Sequence, residues 1–384
     1  MSGADIFSAY VKDEGDDYRD LAPGAARFAR NEGYFTLVWR KFRRSVTGMI
    51  GLVLVVLLLF ICVFADFVSP LDPKEPSLAF APPDPMSFYS KEGWGLRLNA
   101  YQIKETDQLD PVTFQPIVGP DYDTPHPIKF FVKGYPYQLF GFIPTDRHLF
   151  GTDDGSTFHI LGTDKFGRDI FSRGVWGTRI TLFIALSTVF WLTLIGTSVG
   201  LISGYIGGRF DNWVQRFVEI VLAFPQLPLY LTLASIIPAT APSWLFFTSL
   251  IGVLTVVSWA QLSREVRGKT LALARIEYVR AAQAVGAGDG RIIFRHILPN
   301  VLSHVIIAVT IWIPAIILVE SFLGFLGFAV KPPMISWGMM LQDCANFSVL
   351  GSYPWILSPV GFVLIAVFAF NALGDGLRDA IDPY

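Results

Sequence analysis

The chain has 384 residues, of which 52% are hydrophobic and 16% charged, against about 25% charged in a soluble globular chain. With 33 Phe, 10 Trp and a net charge of −2, the balance points to lipid-facing surface and gives no reason to expect nucleic acid as a partner. Cys62 lies inside an apolar run and Cys344 far from it, so the two cysteines imply no disulfide framework.

Residues 1–32 carry Asp5, Asp13, Glu14, Asp16, Asp17 and Asp20 and lack an apolar stretch. A secretory signal needs a basic start followed directly by an apolar region, so this segment is expected to be a soluble cytoplasmic tail. The first long apolar run is Thr47 to Val68, interrupted only by Asp66 near its far end. A span needs about 20 apolar residues to cross a ~30 Å hydrocarbon core, and this run suffices. Before it stand Arg40, Lys41, Arg43 and Arg44, interleaved with Tyr34, Phe35, Leu37, Val38, Trp39 and Phe42. Two readings fit Gly33–Val46: a helix lying in the interface, or a basic flank that only sets orientation.

Further apolar runs cover Ile180–Ile202, Trp213–Ile237, Trp244–Leu262, Val301–Phe322 and Pro354–Leu373. The third run of the six is broken by Phe224-Pro225-Gln226-Leu227-Pro228. The sequence therefore predicts an all-α polytopic membrane protein with about six transmembrane helices. Six spans put both ends on one side. The short links and flanks on the N-terminal side are rich in arginine and lysine, while residues 238–243 hold no charge and residues 323–353 one cation, Lys331; the insert after span one is too long to count. That bias predicts cytoplasmic termini.

Between spans one and two lies a long polar insert, residues 69–177, expected outside as a small mixed lobe. Ile128–Ile143 looks strand-forming, with a Gly-Tyr-Pro break. His148 to Asp153 is echoed by His159 to Asp164, and two copies cannot make a solenoid.

The longest cytoplasmic link is residues 263–300. Ala272, Ala274, Ala281, Ala282 and Ala284 favour a helix, and Gly286, Gly288 and Gly290 then supply a turn. A second amphipathic piece, Ile292–Leu298, is expected to end before Pro299. Small side chains on a short exposed helix, rimmed by arginines, suit docking by another protein.

Several chemistries find little support. Gly268-Lys269-Thr270 lacks the glycine five residues earlier that a phosphate loop needs; Ser263 stands there. The five histidines, His126, His148, His159, His296 and His304, lack the spacing of a zinc site. Ser-His-Asp catalysis needs spatial evidence that a sequence lacks. Neither catalytic nor cofactor or metal residues are expected.

Five separated segments, in order, resemble a known family. Leu161-Gly-Thr-Asp-Lys-Phe-Gly-Arg-Asp-Ile-Phe-Ser-Arg173 is one and Gly204-Tyr-Ile-Gly-Gly-Arg-Phe-Asp211 another. Tyr278-Val-Arg-Ala-Ala-Gln-Ala-Val-Gly286 is followed by Arg291 to Asn300, and Glu320-Ser-Phe-Leu-Gly-Phe-Leu-Gly327 by Pro332-Pro333 and Ser336-Trp337-Gly338. This pattern, over about Phe35 to Val68 and Leu161 to Pro383, resembles permease subunits of bacterial ATP-binding-cassette importers, in the dipeptide/oligopeptide/nickel branch. Arg280 departs from it, standing where the general motif has Glu, with Glu277 one helical turn earlier.

The resemblance implies a bacterial inner-membrane subunit that hydrolyses no ATP itself. Its expected partners are a second permease, two cytoplasmic ATPase subunits, a periplasmic substrate-binding protein and membrane lipid. It implies that Glu277, Arg280, Ala281, Ala282 and Gly286 contact an ATPase. Cargo is expected to be peptides or a related solute. Pro225, Gln226, Pro228 and Glu320 are candidates for the translocation path, Glu320 being placed near the outer end of span five. A packing kink and a carboxylate reaching interfacial water are the structural readings of the same residues. A self-contained secondary transporter is the main rival, and it would want ionisable groups deep within spans. A membrane-anchored periplasmic sensor is the other.

Overall fold

The computed structural model describes residues 34–90, 93–109, 116–152, 154–238, 240–328 and 330–381. The tail expected at 1–32 lies outside them. A short helix, α1 (Tyr34–Phe42), leads through Ser45 into α2 (Val46–Val63) and α3 (Ala65–Val68). Six strands follow: β1 (Met86–Ser90), β2 (Gly93–Ala100), β3 (Ile103–Leu109), β4 (Pro116–Pro120), β5 (His126–Leu139) and β6 (Ile143–Thr152). The helices then resume as α4 (Ile170–Ile206), α5 (Gly208–Ala223), α6 (Gln226–Ser235), α7 (Ser243–Leu273) and α8 (Glu277–Ala284). Next come α9 (Asp289–Ile292), a π turn at Ile293–Ile297, α10 (Leu298–Phe325), α11 (Trp337–Leu341), α12 (Phe347–Ser352) and α13 (Pro359–Ile381).

Among the described residues, five helical segments are long and apolar enough to cross a membrane, and the bent pair α5 and α6 makes a sixth if it counts as one span. The architecture is the expected one, a helical membrane protein with a small sheet lobe between its first two spans. The bend between α5 and α6 is 85°. Its cause is local. Pro225 has no N–H to continue the ladder, and its ring drives Phe224 to an extended ψ of 137°. Pro228 causes no second break, because it sits in the first turn of α6, where its N–H would lack a helical partner anyway.

The helices run further than hydropathy suggests. α4 has 37 residues and starts at Ile170, inside the stretch assigned to the insert. Its first turns carry Ser172, Arg173 and Thr178, all buried against protein, so an apolarity window does not register them. α4 lies on α7 along a ridge of glycines. A Cβ on Gly196, Gly200 or Gly204 would stand 2.9, 2.6 or 3.0 Å from the carbonyl oxygens of Trp259, Ser263 and Arg267. Only hydrogen fits there, and the four-residue repeat keeps all three on one face. At the same end of the bundle α2 meets α13, where a Cβ on Gly51 would reach the Leu373 backbone nitrogen.

The lobe holds a four-stranded antiparallel sheet in the order β1-β2-β5-β6 and a separate β3-β4 hairpin. The stretch Ile128–Ile143, read as strand-forming, is most of β5 together with the turn into β6. Its Gly-Tyr-Pro break coincides with a register shift between Lys133 and Tyr137.

The lobe is tied to α4 by buried polar groups. Asp169 caps α4, its Oδ2 accepting from Ser172 N at 2.7 Å, while its Oδ1 lies 3.0 Å from His159 Nδ1. Asp84 accepts from His159 N at 2.6 Å and from Ile103 N at 2.8 Å. Burial pushes the Asp84 carboxyl above the usual carboxylate range, against the opposing pull of those amides. Ser77 Oγ lies 3.0 Å from His159 Nε2, which completes a Ser–His–Asp row that no spacing suggested. That hydroxyl donates to the Gly167 carbonyl at 2.8 Å, so its proton is not held for transfer to His159. The row is a clamp.

Candidate functional site

The docking surface expected in residues 263–300 is built by the end of α7, by α8 and by α9. α7 passes the end of its apolar run at Leu262 and continues to Leu273. After Ala274-Arg275-Ile276 the chain turns into α8, eight residues long, with Glu277 in its first turn where a carboxylate suits the helix dipole. Val279 is its buried residue, at 0% exposure. Ala281 and Ala284 are exposed and Ala282 is half-buried. Glu277 and Arg280 are exposed as well. Around them Ile276, Tyr278, Val285 and Phe294 stand open, Val285 at 85% and Phe294 at 70%. Exposed apolar side chains thus stand beside the charged Glu277 and Arg280 on this short helix.

Gly286 has φ +81°, and a Cβ there would meet nothing within 4 Å. The turn out of α8 thus requires glycine for its left-handed backbone, and the space beside it is open. Ile292 and Ile297 pin the return limb into the bundle, at 1% and 0% exposure. Tyr205, at the end of α4, donates to Asp289 Oδ1 at 2.8 Å. Arg267 on α7 forks onto Asp211 of α5 with two bonds of 2.6 and 2.5 Å.

One expectation fails here. The second amphipathic piece does not end before Pro299. It runs through the π turn into α10. In a regular α-helix the Pro299 ring would press on the Arg295 carbonyl. The wider turn, with Leu298 N–H bonded to Ile293 O, relieves that crowding. Asn300 Nδ2 then donates to the His296 carbonyl at 2.7 Å. The second amphipathic piece is therefore the start of the fifth span itself, joined to α10 without a break.

Glu320 is not at an interface with water. It is 1% exposed on α10, and its Oε2 accepts from Thr181 on α4 at 3.4 Å. Oε1 has no hydrogen-bond partner among the described residues. The neighbouring motif glycines explain the closeness. A Cβ on Gly324 would fall 2.3 Å from the Gly338 carbonyl carbon, and one on Gly338 would fall 2.9 Å from Glu320 Oε1. Ser336 caps α11 by accepting from Met339 N, and Trp337 donates from Nε1 to the Gly174 carbonyl at 2.8 Å. Pro225, Gln226 and Pro228 are all exposed, at the bend between α5 and α6. The chain thus does not bring Glu320 into one site with them; it buries the first and leaves the others open.

The Leu161 to Arg173 motif also acquires a geometry that spacing does not reveal. Asp164 accepts from the amides of Phe166 and Arg168 at 2.8 and 3.0 Å and pairs with the Arg168 guanidinium at 2.7 Å. Arg173, 4% exposed, lies 3.6 Å from the same carboxylate. Together with Lys165 and Asp343, paired at 2.8 Å, they line a cavity of about 150 Å³. Among the described residues no group of three or more His, Cys, Asp or Glu is placed to hold a metal ion.

Comparison with known proteins gives this geometry its context. Residues 196–384 match the model of the binding-protein-dependent transport system inner membrane component. Residues 33–83 match the N-terminal TM domain of oligopeptide transport permease C. The oligopeptide transport system permease protein OppC of Bacillus subtilis is 41% identical over 226 residues, 59% of this chain and 72% of that protein. A putative peptide permease protein of Brucella suis is 40% identical over 260 residues, 67% of this chain and 83% of that protein. The dipeptide transport system permease protein DppC of Bacillus subtilis is 38% identical over 228 residues, 59% of this chain and 69% of that protein. A chain of the MetNI methionine ABC transporter, solved in inward-facing conformations, superposes with a TM-score of 0.44 at 20% identity, over 55% of this chain and 96% of that chain. With apolar helices spanning several times and relatives of this closeness, the chain is a multi-pass inner-membrane permease and belongs to the family of binding-protein-dependent transport system inner membrane components, in its OppC/DppC-like branch.

Proposed function

We propose that the chain is one of two permease subunits in an ATP-driven importer of peptides, and that α8 is the element through which ATP hydrolysis moves the spans. The carrying observation is the open face of α8, apolar and small at Ala281, Ala284 and Val285, on a helix fixed to the bundle by Val279. Ala281, Ala282 and Gly286 make the close contact with a cytoplasmic ATPase, and Glu277 and Arg280 meet its rim. Two such ATPases serve the pair of permeases, and a periplasmic binding protein delivers cargo to the side that carries the lobe. Peptide cargo is supported by the names of the relatives. Alternating access follows from ATPase closure tilting α7, which leads into α8, and α10, which follows it through α9 and the π turn. Both termini and residues 263–300 face the cytoplasm, supported by the arginine and lysine bias.

Pro225, Gln226 and Pro228 line the path in this reading, at a bend left open for the second permease. Glu320 works through packing, holding α11 against α4 and α10. The test is uptake and ATP hydrolysis in proteoliposomes holding the full complex, with Gly286→Leu in this chain. Hydrolysis without uptake is expected. Uptake still coupled at the parental ratio in the variant overturns the docking role.

A further inference from the structure

The β5–β6 hairpin ends in Leu139-Phe140-Gly141-Phe142-Ile143, a strongly apolar tip for a lobe outside the bundle. Phe142 is 73% exposed, Phe140 55% and Ile143 43%, and behind them Phe130 and Phe131 are 75% and 62% exposed. A cluster of this size in water is unfavourable, and it asks for a cover. What lies next to it is the end of span one. The Phe140 ring is 5.7 Å from Phe64, which is 4.8 Å from Phe60 of α2, and Phe131 is 6.1 Å from Phe67 of α3.

The backbone serves these two contacts at a cost. Phe131 and Phe140 have φ of +57° and +55°, a region that bulky L-residues avoid. Both rings that rest on the end of span one come from these left-handed positions. The hairpin's apolar tip thereby reaches through Phe64 to Phe60 of α2, which is 41% exposed on the same helix as Val56 and Val63, at 56% and 47%. The level is marked by Arg179, which donates to the Cys62 and Val63 carbonyls at the end of α2 and stacks its guanidinium 5.5 Å from the Trp176 ring. Cations over aromatics at a helix end are the composition of a membrane interface. Further back along the hairpin, Lys133, 70% exposed on its side chain and 3.9 Å from Asp146, is paired in register with Arg147, which donates to the Phe131 carbonyl at 3.0 Å; these cations stand on the headgroup side of the tip.

We infer that the Leu139–Ile143 tip is seated in the lipid headgroup interface beside span one, so that the lobe is a second membrane contact of this chain and not a body held clear of the bilayer. The inference does not rest on the importer reading. It is tested by a nitroxide at Phe142→Cys in a Cys62→Ala/Cys344→Ala chain, assembled with its partners in phosphatidylethanolamine/phosphatidylglycerol vesicles. Tyr122→Cys, at a 57% exposed site elsewhere on the lobe, is the water reference. The expected result is a label at 142 that collides several-fold more with oxygen than with a water-soluble nickel chelate, and the reverse at 122. Chelate accessibility at 142 equal to that at 122 overturns the inference. So does shielding from both reagents, which would make a protein neighbour the cover. If the labelled chain does not purify, the unaltered protein irradiated with a photoactivatable phospholipid decides the matter: adducts within residues 139–143 support the inference, and adducts confined to the spans overturn it.

Discussion

The two ends of the helical bundle are built by opposite rules. Where the lobe meets α4, polar side chains are buried and paired: Asp84 with two amides, Asp169 with Ser172 and His159, Asp164 with Arg168. Where α7 turns into α8, apolar side chains stand open among charged ones, Val285 and Phe294 beside Glu277 and Arg280, and a Cβ on Gly286 would meet nothing within 4 Å. The first junction is closed by pairs within this chain. The second leaves apolar side chains open, and this is the contrast on which the proposed docking role of α8 rests.

The largest effect on stability is expected at the closed end. Asp169→Ala removes the α4 cap and leaves His159 buried without its carboxylate, a loss of about 2–4 kcal/mol from a cap of about 1 and an unpaired polar group of about 1–3. Thermal unfolding in nanodiscs should shift down accordingly; an unchanged midpoint would dissolve the contrast between the ends. Gly286→Leu should do less, about 1–2 kcal/mol for a left-handed side chain, while coupling is lost altogether, so stability and function separate at the open end. Glu320 sharpens the contrast from within the bundle. Glu320→Gln keeps an oxygen for the Thr181 hydroxyl and should leave uptake near parental, whereas Glu320→Ala opens a cavity and should lower stability by about 2–3 kcal/mol, read as a lower unfolding midpoint. An uptake defect in Glu320→Gln would instead place the carboxylate in the path.

The smallest effect is a pH dependence at Asp84. Its carboxyl is held above the unfolded value, chiefly by burial. The protonated form therefore favours the fold, and the stability it adds is full below the unfolded pKa of about 4 and lost as pH rises through the folded value. Comparing the chain with Asp84→Asn, the parent should gain relative stability as pH falls from 7 toward 4. A parallel response of the two proteins would mean the carboxyl is not buried in its charged form.

Much of this was legible in the sequence because lipid imposes a coarse, length-based pattern. Five of the six apolar runs fall on helices long and apolar enough to span, and Pro225 located the bend within the other. The short helix α8 was legible from alanines followed by glycines, though its second limb was not, since the π turn at Ile293–Ile297 depends on how Ile297 and Asn300 pack around Pro299. The true start of α4 was hidden because Arg173 and Thr178 are polar yet buried by the lobe and by α11. Glu320 looked terminal because the run ends near it; Ser336–Gly338, eighteen residues later at most, folds back over it. The Gly196, Gly200, Gly204 repeat was there to be read, and its four-residue spacing was the signal.

α4 is a single uninterrupted helix of 37 residues, roughly 55 Å from end to end. One end is fastened by Asp169 to the lobe and the other by Tyr205 to the return limb of α8, with α7 laid along its glycine face. Such a rod acts as a lever: tilting it one degree about its midpoint carries each end about half an ångström in opposite directions, from its length alone. Displacement at one face of the bilayer then reaches the other in inverted sense, without passing from side chain to side chain on the way.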